Sequence, residues 1–199
     1  MLVLAFDTAT DVATSALVDG REVVGERASR AVRILQDIDS LLAEAKLERA
    51  AVEALAVGTG PGSYTGLRMG LVTARALALA LDTPVAGVST LAALAHGAPG
   101  AYPLVDGRRG EVFALEDGVP FVIRAEAVAV RSGATYVGDG AVRYRAALEE
   151  AGAAVPPNDD PAHVPWARHH AALAQDFGPA EKAEPIYLRL PDAERALSR

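Results

Sequence analysis

The stretch GTGPGSYTGLRMG at residues 58–70 joins an apolar run to a long helical pattern and decides how this chain folds. Glycine permits positive φ angles and the close approach of other groups, and proline stiffens a turn. The hydroxyls of Ser63 and Thr65 can cap a helix that starts here. The sequence therefore predicts a strand, a glycine turn and a helix in succession, and the residues that shape the turn are Gly58, Gly60, Pro61, Gly62 and Gly66.

Two explanations of this glycine turn are open: an anion site at the helix N-terminus, or a structural turn that packs under a neighbouring element. The known phosphate motifs do not match. A P-loop requires lysine directly after its last glycine, where Leu67 stands, and the dinucleotide motif requires glycine where Ser63 stands. The nucleophile elbow G-x-S-x-G is excluded as well, because Pro61 and Thr65 occupy its glycine positions.

Composition narrows the function classes. A length of 199 residues suffices for one domain or two small lobes. The 19 basic and 26 acidic residues give a net charge of −7, which argues against a large nucleic-acid surface on this chain alone. The absence of cysteine excludes disulfide and thiolate chemistry. We expect a cytoplasmic protein without a membrane span, because the most apolar segment, 71–81, is shorter than the ~20 residues that a span needs.

The order of predicted elements indicates an α/β fold with two lobes. In the first half we predict strands at residues 2–6, 13–18, 22–26, 54–57 and 85–88. We predict helices at residues 31–46, 66–81 and 90–96. This order resembles a ribonuclease-H-like lobe of the actin, hexokinase and Hsp70 superfamily. The sequence GAPG at 97–100 is a natural boundary, so we predict a first lobe at 1–98 and a smaller, degenerate second lobe at 99–199.

Five motifs carry a family resemblance. GTGPGSYTGLRMG, the opening LVLAFDTAT, and the later DGRRGEVFAL, YVGDGA and EPIYLRLPDA resemble the bacterial TsaB (YeaZ) family, in family order from Leu2 to about Asp192. The resemblance implies a non-catalytic subunit of the machinery that makes N6-threonylcarbamoyladenosine at position 37 of tRNA. It also implies pairing with a TsaD-like catalytic subunit through first-lobe helices, recruitment of a TsaE-like ATPase, contact with tRNA only through the complex, and no cofactor.

Metal ligands are missing where the resemblance would place them. Catalytic relatives bind a metal through His-x-x-x-His on a helix of the first lobe, and the corresponding helix here has no histidine. The four histidines are His96, His163, His169 and His170, and the last two are adjacent, so they point in diverging directions on a helix. We therefore expect no metal site, no catalytic residue, and histidines in surface or capping positions.

Charged residues in three places leave alternatives open. Asp7 precedes Thr-Ala-Thr, where superfamily kinases have an Asp-x-Gly hairpin, and is either bonded to backbone amides or a magnesium ligand. Arg68 lies in the first turn of a helix, where positive charge opposes the helix dipole. It should pair with a carboxylate of this chain or of a partner, or with a phosphate. Arg108 and Arg109 form either a solvated hairpin tip or a phosphate contact. The rival function is a stand-alone small kinase or ATPase.

The clearest functional signal is an apolar surface. Between 67 and 81 the only polar residues are Arg68, Thr73 and Arg75, so the helix is apolar nearly all round and must be covered on both faces. Either the chain's own first helix covers the second face, or a partner subunit does. We predict a partner interface, with self-association through the same helices when the partner is absent. The predicted interface residues are Ile34, Ile38, Leu42, Met69, Gly70, Ala74, Leu77 and Leu81.

Overall fold

The computed structural model describes residues 1–188, which form two β-sheets surrounded by short and long helices. The strands of the first sheet are β1 (Leu2–Asp7), β2 (Ala13–Asp19), β3 (Glu22–Ser29), β4 (Ala54–Gly60) and β5 (Val85–Ser89). Their order across the sheet is β3-β2-β1-β4-β5, with β1, β4 and β5 parallel and the β1–β2–β3 meander antiparallel. The predicted strands of this half are therefore confirmed, and the glycine turn follows β4.

Helices α1 (Ile34–Glu44) and α2 (Tyr64–Leu81) cover one face of this sheet. Side chains alternate along a strand, so Leu4 and Phe6 of β1 point into the core under these two helices. Ile38 of α1 and Leu71 of α2 complete that core. Both helices thus bury one stripe against the same sheet and turn their other sides to solvent.

Helix α3 (Thr90–Gly97) connects the two halves of the molecule. Its residues Leu91 and Leu94 are buried against Val105 and Phe113, which belong to the second half of the chain. The helix starts at Ser89, whose hydroxyl accepts a hydrogen bond from the amide of Ala92 at 3.4 Å.

The second sheet is smaller. Its strands are β6 (Tyr102–Arg108), β7 (Glu111–Glu116), β8 (Val119–Arg124) and β9 (Tyr136–Val137), in the order β8-β7-β6-β9. Helices α4 (Asp139–Arg143) and α5 (Arg145–Glu150) follow β9. These two short helices are separated from each other only by Tyr144.

The chain then returns to the first sheet. Helix α6 (Ala167–Leu173) packs its buried Ala167 against Val3, Ala5 and Ala54 on the face opposite α1 and α2. Alanines on both sides allow this helix to approach closely. The predicted division placed all of 99–199 in the second lobe, whereas residues 167–188 pack on the first; residues 189–199 lie outside the described part. Within 1–188 no helix is both long and apolar enough to cross a membrane.

Candidate protein interface and glycine turn

The glycine turn links β4 to α2 and lies against the loop that follows β1. Gly60 has a φ of +86°, a conformation that glycine adopts at little cost. The amide of Ser63 donates to the carbonyl of Ala9 at 2.7 Å, and the Ser63 hydroxyl accepts from the amide of Gly66 at 3.3 Å. Ser63, one of the two predicted capping residues, is therefore the N-cap of α2, which begins at Tyr64 rather than at the predicted residue 66.

The space beside three of the turn glycines is filled by the chain itself. A Cβ at Gly62 would lie 2.3 Å from the carbonyl oxygen of Ala9, and one at Gly66 would lie 2.0 Å from that of Thr8. A Cβ at Gly58 would lie 2.2 Å from Cγ of Asp7. Of the two explanations, the geometry favours the structural turn, since the glycines are needed for contact between two loops.

Asp7 lies at the end of β1 and is almost completely buried, with 1% of its surface exposed. Its Oδ1 accepts a hydrogen bond from the amide of Ala9 at 2.6 Å, and its Oδ2 accepts one from the hydroxyl of Thr90 at 2.7 Å. Oδ2 also lies 2.8 Å from Nε2 of His170, an ion pair that is close but not aligned as a good hydrogen bond. The expected bond to a backbone amide is confirmed, while His170 and Thr90 were not anticipated.

The electrostatics of Asp7 favour a permanent carboxylate. Burial raises the pKa of Asp7. The charge of His170 and the hydrogen bonds from His170, Thr90 and the amide of Ala9 together lower the pKa by more, so it lies below its ordinary value. The carboxylate therefore has three partners within the chain. The alternative role of magnesium ligand would require this internal arrangement to be taken apart.

Two of the four histidines, His163 and His170, are buried and differ from the expectation of surface and capping positions, whereas His96 is exposed as expected. His170 is fully buried beside Asp7, and His163 is buried and accepts a hydrogen bond from the amide of Gly138 at 3.1 Å. His96 and His169 lie on α3 and α6 with their Nδ1 atoms 3.0 Å apart. Burial, with the charge of Arg168, lowers the pKa of His169 to about 4, so its ring is neutral at pH 7. Within residues 1–188 no group of three or more potential ligands is placed to hold a metal.

A charged cluster bridges the two sheets. Arg108, at the tip of the β6–β7 hairpin, pairs with Asp11 of the β1–β2 loop at 2.6 Å and with Asp106 at 3.3 Å. Arg143 pairs with Asp106 from the other side, also at 3.3 Å. Burial raises the pKa of Asp139 to about 6; the amide of Asp106 opposes this, and the carboxylates of Asp106 and Asp11 add to it. The Arg108 side chain is thus committed to an ion pair across the lobes.

The outer side of α1 and α2 exposes large apolar side chains. Val72 and Leu79 of α2 are 64% and 88% exposed. Leu35 of α1 and Val32 of the preceding turn are 54% and 77% exposed. We call these four residues, with the outer sides of the helices that carry them, the helix-pair surface. A partner surface is therefore available, but its residues differ from most of those predicted.

Five predicted interface residues are buried inside the chain, and this is a correction. The core under α1 and α2 contains Ile34, Ile38, Leu42 and Ala74, and Gly70 faces Thr8, whose Oγ1 would lie 2.4 Å from a Cβ there. The strongest apolar periodicity marks the side of each helix that packs on its own sheet, so these residues serve the chain's own core. Met69, Leu77 and Leu81 are half-buried beside the helix-pair surface, and their role at an interface stays a prediction.

Arg68 has no ion-pair partner among the described residues, contrary to one of the expectations for it. Its guanidinium lies over the ring of Tyr64, 4.1 Å from the ring centre. Tyr64 in turn contacts Tyr187, with ring centres 5.1 Å apart. The side chain is exposed, and its pairing with a carboxylate of a partner or with a phosphate stays a prediction.

A family model and two relatives resemble the chain over much of its length. The model, described as TsaD, tRNA N6-adenosine threonylcarbamoyltransferase, matches residues 14–150. An uncharacterized protein of Mycobacterium tuberculosis is 36% identical over 96% of this chain and 93% of the relative. The tRNA threonylcarbamoyladenosine biosynthesis protein TsaB of Haemophilus influenzae is 39% identical over 57% of this chain and 52% of its own length. The likeness to this TsaB protein thus covers about half of each.

Solved structures confirm the fold class. YeaZ from Pseudomonas aeruginosa superposes with a TM-score of 0.78, at 29% identity over 94% of this chain and 99% of the other. An activator of 2-hydroxyisocaproyl-CoA dehydratase from Clostridium difficile superposes with a TM-score of 0.53 over 92% and 96% of the two chains, at 12% identity, which shows the fold alone. The predicted two-lobed α/β fold of the actin, hexokinase and Hsp70 type is therefore confirmed.

Proposed function

The chain belongs to the TsaB (YeaZ) family of tRNA threonylcarbamoyladenosine biosynthesis, and we propose that it acts there as a non-catalytic subunit. It pairs with a TsaD-like catalytic subunit, and the pair helps to recruit a TsaE-like ATPase. The tRNA is contacted through the complex rather than by this chain. In the absence of its partner the chain associates with itself through the same helices. All of this takes place in the cytoplasm.

The exposed helix-pair surface is the observation that carries this proposal. Val32, Leu35, Val72 and Leu79 lie on helices that already bury their opposite sides against the first sheet. Apolar surface left in water costs about 25 cal/mol per Å² relative to burial, and contiguous patches of it mark sites of association. A surface formed by two helices suits another pair of helices, such as those expected on a partner from the same superfamily.

The buried Asp7 supports the non-catalytic part of the proposal. In kinases of the superfamily that the chain resembles, the acidic residue after the first strand belongs to a hairpin that holds the phosphates of the nucleotide. Here the same carboxylate is held by His170, Thr90 and the amide of Ala9. A Cβ at position 62 would lie 2.3 Å from the carbonyl oxygen of Ala9, so the fold of the chain itself requires glycine at this position. The stand-alone kinase or ATPase is therefore the weaker candidate.

Binding measurements with a purified TsaD-like subunit test the proposal. Leu79→Glu places a charge in the centre of the helix-pair surface without disturbing the core. Truncated central anchors cost roughly 2 kcal/mol or more, so we expect the dissociation constant to rise more than tenfold. The matched control is Val119→Glu, which changes another exposed apolar residue, on the second sheet.

Each outcome of this experiment is informative. Wild-type affinity in Leu79→Glu, with normal assembly by size-exclusion chromatography, would remove the interface from this surface. Metal-dependent ATP turnover by the purified chain alone would favour the rival enzyme. Circular dichroism of both variants verifies that each is folded.

A further inference from the structure

We infer that the helix-pair surface selects a partner that presents carboxylates around an apolar centre, in preference to a second copy of this chain. This inference rests on the proposed function, because it takes the surface to be an interface. What is new is the sign of the charge on the partner's surface, which membership of the family does not indicate.

Arginines surround the apolar residues of this surface. Arg68, Val72, Arg75 and Leu79 are all exposed on α2 at intervals of four, three and four residues, which places them on one side of the helix. Two guanidinium groups thus alternate with the two exposed apolar side chains of this helix.

The same pattern continues on the neighbouring turn. Arg30 and Arg33 flank Val32 and are exposed, and the turn that carries them contacts α2. Arg30 also lines a cavity of about 460 Å³ together with Met69 and Thr65 of α2, so this turn lies beside the first half of α2.

These four arginines lack counter-charges. None of them forms an ion pair with any carboxylate in residues 1–188. Arg68 lies over the ring of Tyr64, and Arg75 makes a long contact of 3.5 Å to the carbonyl of Ala183. These four guanidinium groups thus belong to a chain whose net charge is −7.

The dipole of α2 strengthens this positive potential. The first turn of α2 contains no acidic residue, and the free amide groups of a helix N-terminus carry partial positive charge. Arg68 directly follows that turn, and its guanidinium adds to the positive potential. A carboxylate approaching from another molecule would meet both.

A second copy of this chain is poorly suited to supply that carboxylate. The exposed acids of α1 that could reach across are Asp39 and Glu44, and these already pair with Arg49 and Arg27. Self-association would also bring the four arginines of each copy to the same contact. Like charges opposed across an interface are unfavourable, whereas complementary charges speed and direct association.

Titration of a charge-reversed variant with a purified TsaD-like subunit tests the inference. Arg33→Glu/Arg68→Glu should weaken binding about tenfold, while Arg33→Lys/Arg68→Lys should retain it. The matched control, Arg21→Glu/Arg124→Glu, makes the same change in net charge at two exposed positions. These lie in the turn between β2 and β3 and at the end of β8. Wild-type affinity should also fall several-fold when NaCl is raised from 50 to 300 mM.

A second arm measures self-association by analytical ultracentrifugation. An equimolar mixture of wild type and Arg33→Glu/Arg68→Glu should associate more strongly than either protein alone. Equal effects of the test and control variants, or wild-type self-association tighter than partner binding, would overturn the inference while leaving the interface in place. Failure of the wild type to bind the partner at all would instead refute the proposed function.

Discussion

Oδ2 of Asp7 lies 2.8 Å from Nε2 of His170, and both side chains are excluded from solvent. This contact joins the first strand of the chain to its last α-helix within the described residues. Thr90 at the start of α3 donates to the same carboxylate oxygen, so three distant segments meet at one point. The arrangement fixes α3 and α6 on the sheet.

We predict that Asp7→Ala destabilises the fold by about 3–5 kcal/mol, because the substitution leaves the imidazole of His170 and the hydroxyl of Thr90 buried without their polar partner. Urea unfolding at pH 7 measures the loss. Asp11→Ala is the control, since Asp11 is exposed and its pair with Arg108 should contribute at most about 1 kcal/mol.

The coupling of the pair can be tested separately. The losses from Asp7→Ala and His170→Ala should not add in the double variant, because either one alone already breaks the contact. Additive losses would show that the two groups contribute independently. Since the pKa of Asp7 is lowered in the folded state, its contribution is present above the unfolded value of 3.8 and disappears as the pH falls below it.

Gly70→Leu should destabilise the protein by about 1–3 kcal/mol through overpacking, because a Cβ at Gly70 already meets Oγ1 of Thr8 at 2.4 Å. Ala76→Leu adds similar bulk on the exposed side of the same helix and should leave the melting temperature unchanged. Thermal melts followed by circular dichroism compare the two. A normally stable Gly70→Leu variant would contradict the inward position of Gly70.

Asp139→Asn should stabilise the protein by about 2 kcal/mol at pH 7.5 and by much less near pH 4. The native pKa of about 6 exceeds the unfolded value of 3.8, so stability from the protonated carboxyl is lost as the pH rises through 6. Asparagine can still accept the hydrogen bond from the amide of Asp106 at 2.8 Å but carries no charge.

Denaturant unfolding of Asp139→Asn across this pH range provides the measurement. Asp159→Asn removes an exposed carboxyl and should give no such dependence. A stability difference between Asp139→Asn and wild type that is constant from pH 4 to 7.5 would contradict a perturbed titration of Asp139.

Binding of tRNA by the isolated chain should be weak, because its net charge is −7 and nucleic-acid affinity depends on clustered basic residues. Filter binding at 100 mM salt measures this. Micromolar, salt-dependent affinity would contradict the prediction. Arg108 and Arg109 would then be the first residues to replace, because both lie at the tip of the β6–β7 hairpin.

The strands and main helices could be predicted because local periodicity determines them. The start of α2 also followed from Ser63, whose cap is formed within a few residues. The partners of buried polar groups could not be predicted in this way. His170 and Asp7 meet only after the chain has passed through a whole second sheet, and nothing in the residues around either one marks the contact.

The prediction of five interface residues, which are buried in the core of the chain, was wrong for a related reason. Periodicity identifies an apolar stripe such as Ile34, Ile38 and Leu42, but it does not state which neighbour covers that stripe. The chain's own sheet covers this stripe before any partner can, because the sheet and the helix belong to the same chain. The outward residues, Val32 and Leu35, lie beside the main stripe in the sequence, and the structure leaves them exposed.

The return of α6 to the first sheet has a consequence for synthesis on the ribosome. The face of the sheet formed by Val3, Ala5 and Ala54 is uncovered until Ala167 has left the ribosome. The carboxylate of Asp7 likewise lacks its contact with His170 until that residue has been synthesised. The nascent N-terminal half therefore cannot complete its core by itself, and exposed strands in such intermediates are prone to aggregate. A fragment ending at residue 98 should need a chaperone or a supplied copy of the α6 segment to stay in solution.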